Sequence, residues 1–224
     1  MKSKRILIFT LVILILASMA ISCMACVNDN PNDGAKSEDA KSMAKELLTA
    51  NSFTVEKDGV EIFRYEGVSC YWKVGGEGLY NEYYFMPDGE GKNWVYYRSY
   101  SEDTWEKSVF ALDEYVSYLY AIKFGLGEDL SALYFLGMLF MDFDTLMKEE
   151  NSTYMLKQKL SGLNLDGFEL SKAGEKLVIS LSIVYSYMDN YKEEAKYVVS
   201  NINNTKVTLS ESAQKATVGE VMMP

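Results

Sequence analysis

Hydrophobic residues follow three different patterns along the chain. A run of apolar residues, interrupted only by Thr10, occupies residues 6–17. Residues 37–50 then carry apolar side chains at helical spacing, which predicts an amphipathic helix with Ser37 as its N-cap. Over residues 53–110, runs of strand length rich in Tyr, Trp, Phe and Val alternate with clusters of Gly and Asp. This last pattern indicates an antiparallel meander.

The meander is divided into six predicted strands by turn residues such as Lys57-Asp58-Gly59. A parallel arrangement would need a crossover helix between successive strands, and the breaks are too short to contain one. We therefore predict antiparallel strands at residues 52–57, 60–66, 68–74, 79–86, 93–100 and 104–110.

Two helices are predicted after this meander. The first, LDEYVSYLYAIKFG, has Asp113 near its start and ends at Gly125. The second is predicted over residues 128–147 and contains the run LSALYFLGMLFM, which is apolar on nearly every face. That run is too short to cross a bilayer, since a span needs about 20 residues. We therefore expect this helix to be enclosed between the sheet and another apolar surface.

Strand patterns resume after a polar break near residues 148–151. The predicted strands lie in TYMLKQKL, FELSKAG, EKLVISLSIVYSY, KEEAKYVVSNI and KVTLSE, with tight turns at residues 172–175 and at Asp189-Asn190. Residues 213–224 are mostly small and polar, so we expect a loosely held tail. The order of elements predicts one α+β domain over residues 38–212, built on an antiparallel sheet.

The N-terminal apolar run has the layout of a secretory signal. Lys2, Lys4 and Arg5 precede it, and a patch of small residues from Ser18 to Ser22 follows it. A permanent transmembrane helix needs about 20 apolar residues. Even when it is extended to Ile21, this run would make only a short span.

The residues Ala20-Ile21-Ser22-Cys23 resemble the lipobox of bacterial lipoproteins, although Ala20 stands where leucine is usual. The resemblance implies a signal peptide over residues 1–22, cleavage before Cys23 and acylation of that cysteine. Two or more acyl chains, at ~0.8 kcal/mol per buried methylene, would hold the protein on the extracytoplasmic face of the cell membrane. The alternatives are processing at Cys26, ordinary signal cleavage and an uncleaved anchor.

Residues 23–37 form a predicted flexible spacer, because VNDNPNDGAKSE is polar and has almost nothing to bury. Cleavage would remove three of the 22 basic residues and none of the 32 acidic ones, which leaves a net charge of −13. Such a chain is not expected to bind nucleic acid, whose phosphates require a basic patch. The sequence does not indicate an oligomeric state.

The element order and the closing pattern STYMLKQKL, KLVISLSIVYSY and KYVVSNINNTKVTLSE resemble those of lipid-anchored proteins of low-GC Gram-positive bacteria. Over about residues 38–210 the domain is similar to the lipoprotein-carrier fold shared by LolA, LolB and LppX. The resemblance implies a strongly curved antiparallel half-barrel with helices covering its concave side. In those carriers the concave apolar space receives acyl chains.

A hydrophobic ligand such as an acyl chain is therefore the expected partner besides the membrane. The apolar helix would line the cavity through Leu130, Leu133, Tyr134, Leu136, Met138 and Phe140. The alternative is that the same helix fills the concavity and leaves no room for a ligand. An apolar helix serves either purpose, so the sequence leaves both open.

Histidine is absent from the chain, which excludes the triads, dyads and metal sites that need imidazole. The chain has no phosphate-binding loop and no nucleophile elbow. Asp142 and Asp144 lack the rest of a calcium loop, and we interpret them as exposed acids at a helix end. We therefore predict no cofactor, no metal and no enzymatic activity. Carboxylate catalysis stays open through Glu61, Glu66, Glu77 and Glu82.

Cys70 lies in the strand-like segment GVSCYWKV. We predict that it is a small buried hydrophobic residue, which is the common fate of a lone cysteine. A disulfide with Cys26 is the less favoured alternative, because a flexible spacer would have to hold its partner.

Aromatic residues concentrate on neighbouring predicted strands, where alternation must divide them between the two faces of the sheet. We favour cross-strand pairs that stabilise the sheet. The alternative is an outward aromatic face that binds protein or glycan, which would make the protein a cell-surface interaction module. The residues concerned are Tyr80, Tyr83, Tyr84, Trp94, Tyr96, Tyr97, Tyr100 and Trp105.

Overall fold

A computed structural model of the chain describes residues 39–76, 78–124, 131–185, 191–221 and 223. These residues form an α+β domain with a large sheet and few helices. The helices are α1 (Ala40–Thr49), α2 (Leu112–Lys123), α3 (Ser131–Leu139) and α4 (Phe143–Leu146). None of them has the length and apolar content that a membrane span requires. The predicted α+β class is confirmed.

Twelve strands form one sheet in the described residues. The first meander is β1 (Ser52–Lys57), β2 (Val60–Glu66), β3 (Ser69–Gly76), β4 (Leu79–Pro87), β5 (Asn93–Arg98) and β6 (Glu106–Phe110). The second is β7 (Met147–Glu150), β8 (Thr153–Leu156), β9 (Leu165–Ala173), β10 (Lys176–Tyr185) and β11 (Tyr191–Ser200). The last strand is β12 (Thr217–Val218).

The two meanders are joined by an antiparallel pair between β1 and β11. The strand order is β12-β6-β5-β4-β3-β2-β1-β11-β10-β9-β8-β7, and only the β12–β6 pair is parallel. The prediction of an antiparallel sheet is therefore confirmed. The β1–β11 pair joins strands that lie near opposite ends of the domain's sequence.

Most of the hydrophobic core lies on the face of the sheet against which the helices pack, which we call the helix face. Val55 and Val199 lie side by side there, at the junction of the two meanders. Their neighbours in sequence, Thr54 and Ser200, point to the opposite face, which we call the outer face. Side chains thus alternate between the helix face and the outer face on both sides of the junction.

Helix α1 buries the apolar stripe that the sequence predicts, through Ala40, Met43, Ala44 and Leu47. Its N-cap is Asp39 rather than the predicted Ser37, because an Asp39 carboxylate oxygen accepts a hydrogen bond from the Ser42 backbone N–H at 2.7 Å. Ser37 itself lies outside the described residues.

The predicted helix over residues 128–147 is instead two helices followed by a strand. Helix α3 ends at Leu139. Asp142, just before α4, has an extended φ of −150°, so α3 and α4 are separate helices. Met147 then begins β7, whose residues Lys148, Glu149 and Glu150 are exposed. This strand was missed because its sequence, MKEE, shows no alternation. Residues 128–130 lie outside the described residues.

The end of the chain also differs from its prediction. Residues 206–211 form no strand, and residues 213–221 are not loosely held. Thr217 and Val218 pair with β6, while Ala213 and Val221 are buried. Burial of these few small apolar residues, rather than strand alternation, fixes this segment.

Candidate functional site

Helix α3 carries most of the residues predicted to line a ligand cavity. Leu133 and Leu136 are buried in the core on the helix face, and Leu136 has no exposed surface. Tyr134, Met138 and Phe140 are half-buried. Leu130 lies outside the described residues. The structure therefore places the apolar side of α3 into the core, as the sequence predicts for an enclosed helix.

Contacts join α3 to the sheet, and the residue after α3 to α4. The Ser131 hydroxyl lies 3.3 Å from the Tyr197 hydroxyl of β11, and the Phe140 and Phe143 rings are 4.6 Å apart. The two cavities that we describe below have no residue of α3 in their linings.

The outer face of the first meander carries a row of paired aromatic residues. Tyr71, Tyr84 and Tyr96 lie directly opposite one another on β3, β4 and β5, with Arg64 and Lys107 at the two ends of the row. The Tyr71 and Tyr84 rings are 4.8 Å apart, and the Arg64 guanidinium lies 4.6 Å from the Tyr71 ring centre. Cross-strand and cation–π contacts of this kind stabilise a sheet.

This row is covered by residues 201–221, which we call the C-terminal strap. Val207 and Ala213 of the strap are buried against Tyr71, Tyr84, Tyr96 and Trp105. The strap crosses from β1 to β6 and then brings Val221 into the core on the helix face.

Polar contacts hold the strap at several points along its path. The Glu66 carboxylate accepts hydrogen bonds from the Lys206 ammonium at 2.6 Å and the Val207 backbone N–H at 2.9 Å. These two contacts hold the pKa of Glu66 below its usual value. Farther along, the Trp105 indole N–H donates to the Ser212 hydroxyl at 3.2 Å.

The predicted aromatic set divides between the two faces, as alternation requires. Tyr83 and Tyr97 lie in the core on the helix face, with ring centres 5.0 Å apart. Tyr84, Trp94, Tyr96 and Trp105 belong to the cluster beneath the strap, and Tyr100 is exposed. Tyr80 is half-buried. Much of the predicted docking face is therefore already occupied by the chain itself.

Three of the four predicted carboxylates have a cationic partner of their own. Glu61 pairs with Arg64, and Glu66 pairs with Lys206. Glu82 accepts hydrogen bonds from Arg98 at 2.5 Å and from the Tyr71 hydroxyl at 2.8 Å. Burial, and then the bond to Glu82, raise the pKa of Tyr71. Glu77 lies outside the described residues.

Asp142 and Asp144 are exposed, and Asp144 forms an ion pair with Lys41 at 2.5 Å. In the described ranges, no three His, Cys, Asp or Glu side chains converge as they would around a metal ion. Cys70 is fully buried, as predicted, and burial raises the pKa of its thiol. Cys23 and Cys26 lie outside the described residues.

The largest cavity that we describe is a groove on the outer face of the second meander, with a volume of about 580 Å³. The strands β8, β9, β10 and β11 form its floor. We call it the outer groove. It lies beside the part of the face that the strap covers, on the other side of the β1–β11 junction.

Small residues make the outer groove a depression. Gly167, Ser180 and Ser182 occupy neighbouring positions on β9 and β10. Ser182 has a hydroxyl that is buried without a hydrogen-bond partner. Longer side chains surround these residues. Met155 is uncharged, and the others carry both signs of charge: Asp58, Lys148, Glu169, Glu194 and Lys196.

Sequence reasoning missed the outer groove. The signal was present in EKLVISLSIVYSY, where Ser180 and Ser182 alternate with buried Ile179, Leu181 and Ile183. Small polar residues on the solvent side of a strand are ordinary, so this alternation alone predicts no site. The depression depends on which residues of β9 and β11 lie beside those serines, and that register is a long-range property.

A second cavity of about 390 Å³ lies beside the start of α1. Tyr154 is at its wall, and burial followed by the charge of Asp39 raises the pKa of that phenol. The other lining residues are Ala40, Glu149, Ser152, Lys172 and Gly174.

Comparisons with protein-family models, with curated proteins and with solved structures give no match for this chain. The likeness to the LolA, LolB and LppX carriers therefore rests on the sequence pattern. The site with the best geometric support is the outer groove, whose residues come from five consecutive strands and the Asp58 turn.

Proposed function

We propose that this protein is a non-enzymatic lipoprotein, anchored through Cys23 to the extracytoplasmic face of the cell membrane, that binds a polar ligand in its outer groove. The observation that carries the binding role is a groove of about 580 Å³ lined by hydroxyls and by charges of both signs. Ligand sites are concave and contain a few convergent polar groups.

The anchor is tested by metabolic labelling with an alkynyl palmitate analogue in a Gram-positive host. We expect label on the wild-type chain and on Cys26→Ala, and none on Cys23→Ala. Retention of label by Cys23→Ala, or its loss from Cys26→Ala alone, would contradict the assignment.

The groove is tested by two-dimensional amide NMR of the full chain with three probes: the tripeptide Lys-Ser-Glu, an N-acetylglucosamine trimer and palmitate. We expect one of the polar probes to shift the groove amides. Ser180→Trp, which fills the groove, should abolish those shifts. Ser171→Trp is the matched control, because Ser171 lies on β9 outside the groove lining.

A second candidate is a carrier of a hydrophobic ligand, with the strongly curved half-barrel and helix-covered concave side of the LolA-like proteins. The observation that favours it is that Tyr134 and Met138 of α3, and Phe140 just after it, are only half-buried. Palmitate shifts at α3 amides, without groove shifts from either polar probe, would replace the first proposal with this one.

A further inference from the structure

The strand register arranges three of the five charged residues that line the outer groove in a row, while Asp58 and Glu194 lie outside this row. Lys148 of β7 lies opposite Met155 of β8, which lies opposite Glu169 of β9. Glu169 lies opposite Ser180 of β10, which lies opposite Lys196 of β11. The row thus crosses five neighbouring strands, and its charged members stand on alternate strands with the signs plus, minus, plus.

The spacing of this row follows from sheet geometry. Neighbouring strands lie about 4.8 Å apart, so Lys148, Glu169 and Lys196 follow one another at intervals of about 9.6 Å. Ser180, between the last two, is too short to stand between a ligand and these charges. Met155 stands between Lys148 and Glu169 and is long but uncharged, so a ligand that lies across the strands would contact its apolar side chain between those two charges.

These charges are available to a ligand. Glu169 and Lys196 are exposed, and neither has an ion-pair partner in the part of the chain that the structure describes. Lys148 has one, at 2.7 Å from Glu150, but its side chain remains 45% exposed. An exposed pair of this kind is weak and can be exchanged for a ligand carboxylate.

The lining favours a peptide over a glycan. Phe168 is the only aromatic residue in the described lining, and it is 1% exposed, so no ring surface is available for a sugar to stack on. Alternating charges are instead what a peptide with acidic and basic side chains would match.

The interval of about 9.6 Å between successive charges in the row also favours one peptide conformation. A polyproline II helix rises about 3.1 Å per residue with three residues per turn, so residues i, i+3 and i+6 share one face at intervals of about 9.3 Å. In a β-strand, side chains on one face recur every two residues, at about 6.7 Å. Only the first spacing matches the row.

We propose, resting on the polar-ligand function above, that the outer groove binds a peptide in polyproline II conformation with the pattern acid-x-x-base-x-x-acid. The two acids lie on Lys148 and Lys196, and the base lies on Glu169. The partner is thus a protein segment rich in proline that carries charges at every third position.

The test uses three fluorescently labelled peptides of identical composition and the full-length chain. The matched peptide contains Glu-Pro-Pro-Lys-Pro-Pro-Glu, the second has its charges at every second position, and the third has Lys and Glu placed consecutively. Fluorescence anisotropy gives Kd, and amide NMR locates the site. We expect the matched peptide to bind at least about tenfold more tightly than the others, a difference of about 1.4 kcal/mol.

Charge exchange in the protein gives a gain-of-function control. Glu169→Lys should lose the matched peptide and instead prefer a peptide with acids at all three positions. Glu211→Gln changes an exposed acid on the strap, outside the groove. It should leave the affinities for the matched peptide and for the all-acidic peptide unchanged.

The outcomes separate this inference from the proposed function. Equal binding of all three peptides at the groove would contradict the proposed spacing of charges, while the polar-ligand function would stand. Groove shifts with the N-acetylglucosamine trimer and none with any peptide overturn the peptide assignment alone. Palmitate shifts at α3 with no polar probe bound overturn both.

Discussion

At the scale of single residues, the clearest constraint is the backbone at Gly75. It has a φ of +132°, and a Cβ placed there would lie 2.2 Å from the Leu79 carbonyl oxygen across the β3–β4 hairpin. A side chain therefore meets both an unfavourable dihedral and a backbone atom that cannot move independently. Gly76 has neither problem, since nothing lies within 4 Å of its Cβ position.

We therefore expect Gly75→Ala to lower the free energy of unfolding by about 1–3 kcal/mol. Gly76→Ala should stay within about 1 kcal/mol of the wild type. Urea denaturation followed by tyrosine and tryptophan fluorescence measures both. Equal stability of the two variants would show that the hairpin does not require the Gly75 conformation.

A second residue, Leu136, tests whether the space beneath α3 is filled. It has no exposed surface and lies in the main core. Truncation to alanine in a filled core should cost about 2–5 kcal/mol. Met138→Ala, at a half-buried position on the same helix, should cost distinctly less. Similar small losses at both positions, measured by urea denaturation, would indicate space around Leu136.

At the scale of elements, the C-terminal strap is the segment whose role is least visible in sequence. Val207 is buried against the aromatic row, while its neighbour Thr208 is exposed. We expect Val207→Asp to cost about 2–4 kcal/mol, because an unpaired carboxylate would be buried, and Thr208→Asp to cost less than about 0.5 kcal/mol.

Tryptophan emission supplies an independent measurement of the strap. Trp105 donates its indole N–H to Ser212 and is buried beneath the strap. If Val207→Asp releases the strap, emission should shift to the red in the native state. An unshifted spectrum together with unchanged stability would contradict a packed strap.

Elements differ in how far the sequence could specify them. The bounds of β1 and β2 match their prediction, because alternation and the Asp58-Gly59 turn are local signals. The strand β7 carries no local signal, since MKEE does not alternate. In the strap the local signal is misleading, because residues 206–211 alternate but form no strand. The outer groove depends on the register of β9, β10 and β11, which no single segment encodes.

At the scale of the whole molecule, buried tyrosines should determine the response to alkaline pH. Burial raises the pKa of Tyr65 to about 12 and also raises the pKa values of Tyr71, Tyr83 and Tyr115. In the unfolded chain these phenols ionise near pH 10. Because the folded pKa values are higher, stability is fully present below pH 10 and is lost as pH rises toward and beyond 12.

We therefore expect the free energy of unfolding to fall steeply between about pH 10 and 12. The measurement is urea denaturation at a series of pH values, combined with phenolate absorbance. Tyr65→Phe should make the fall shallower, whereas Tyr100→Phe, at a site that is 60% exposed, should leave it unchanged. A fall of the same steepness in both variants would exclude a contribution from Tyr65.

The pairing of β1 with β11 also sets an order of events during synthesis. At about 5–20 residues per second, β11 is completed on the order of ten seconds after β1. Until then β1 has an unpaired edge, and the Val55 side chain lacks its neighbour Val199 from the second meander. Folding of the sheet should therefore be slow and late, and the nascent first half is the part that most needs protection from pairing with other chains.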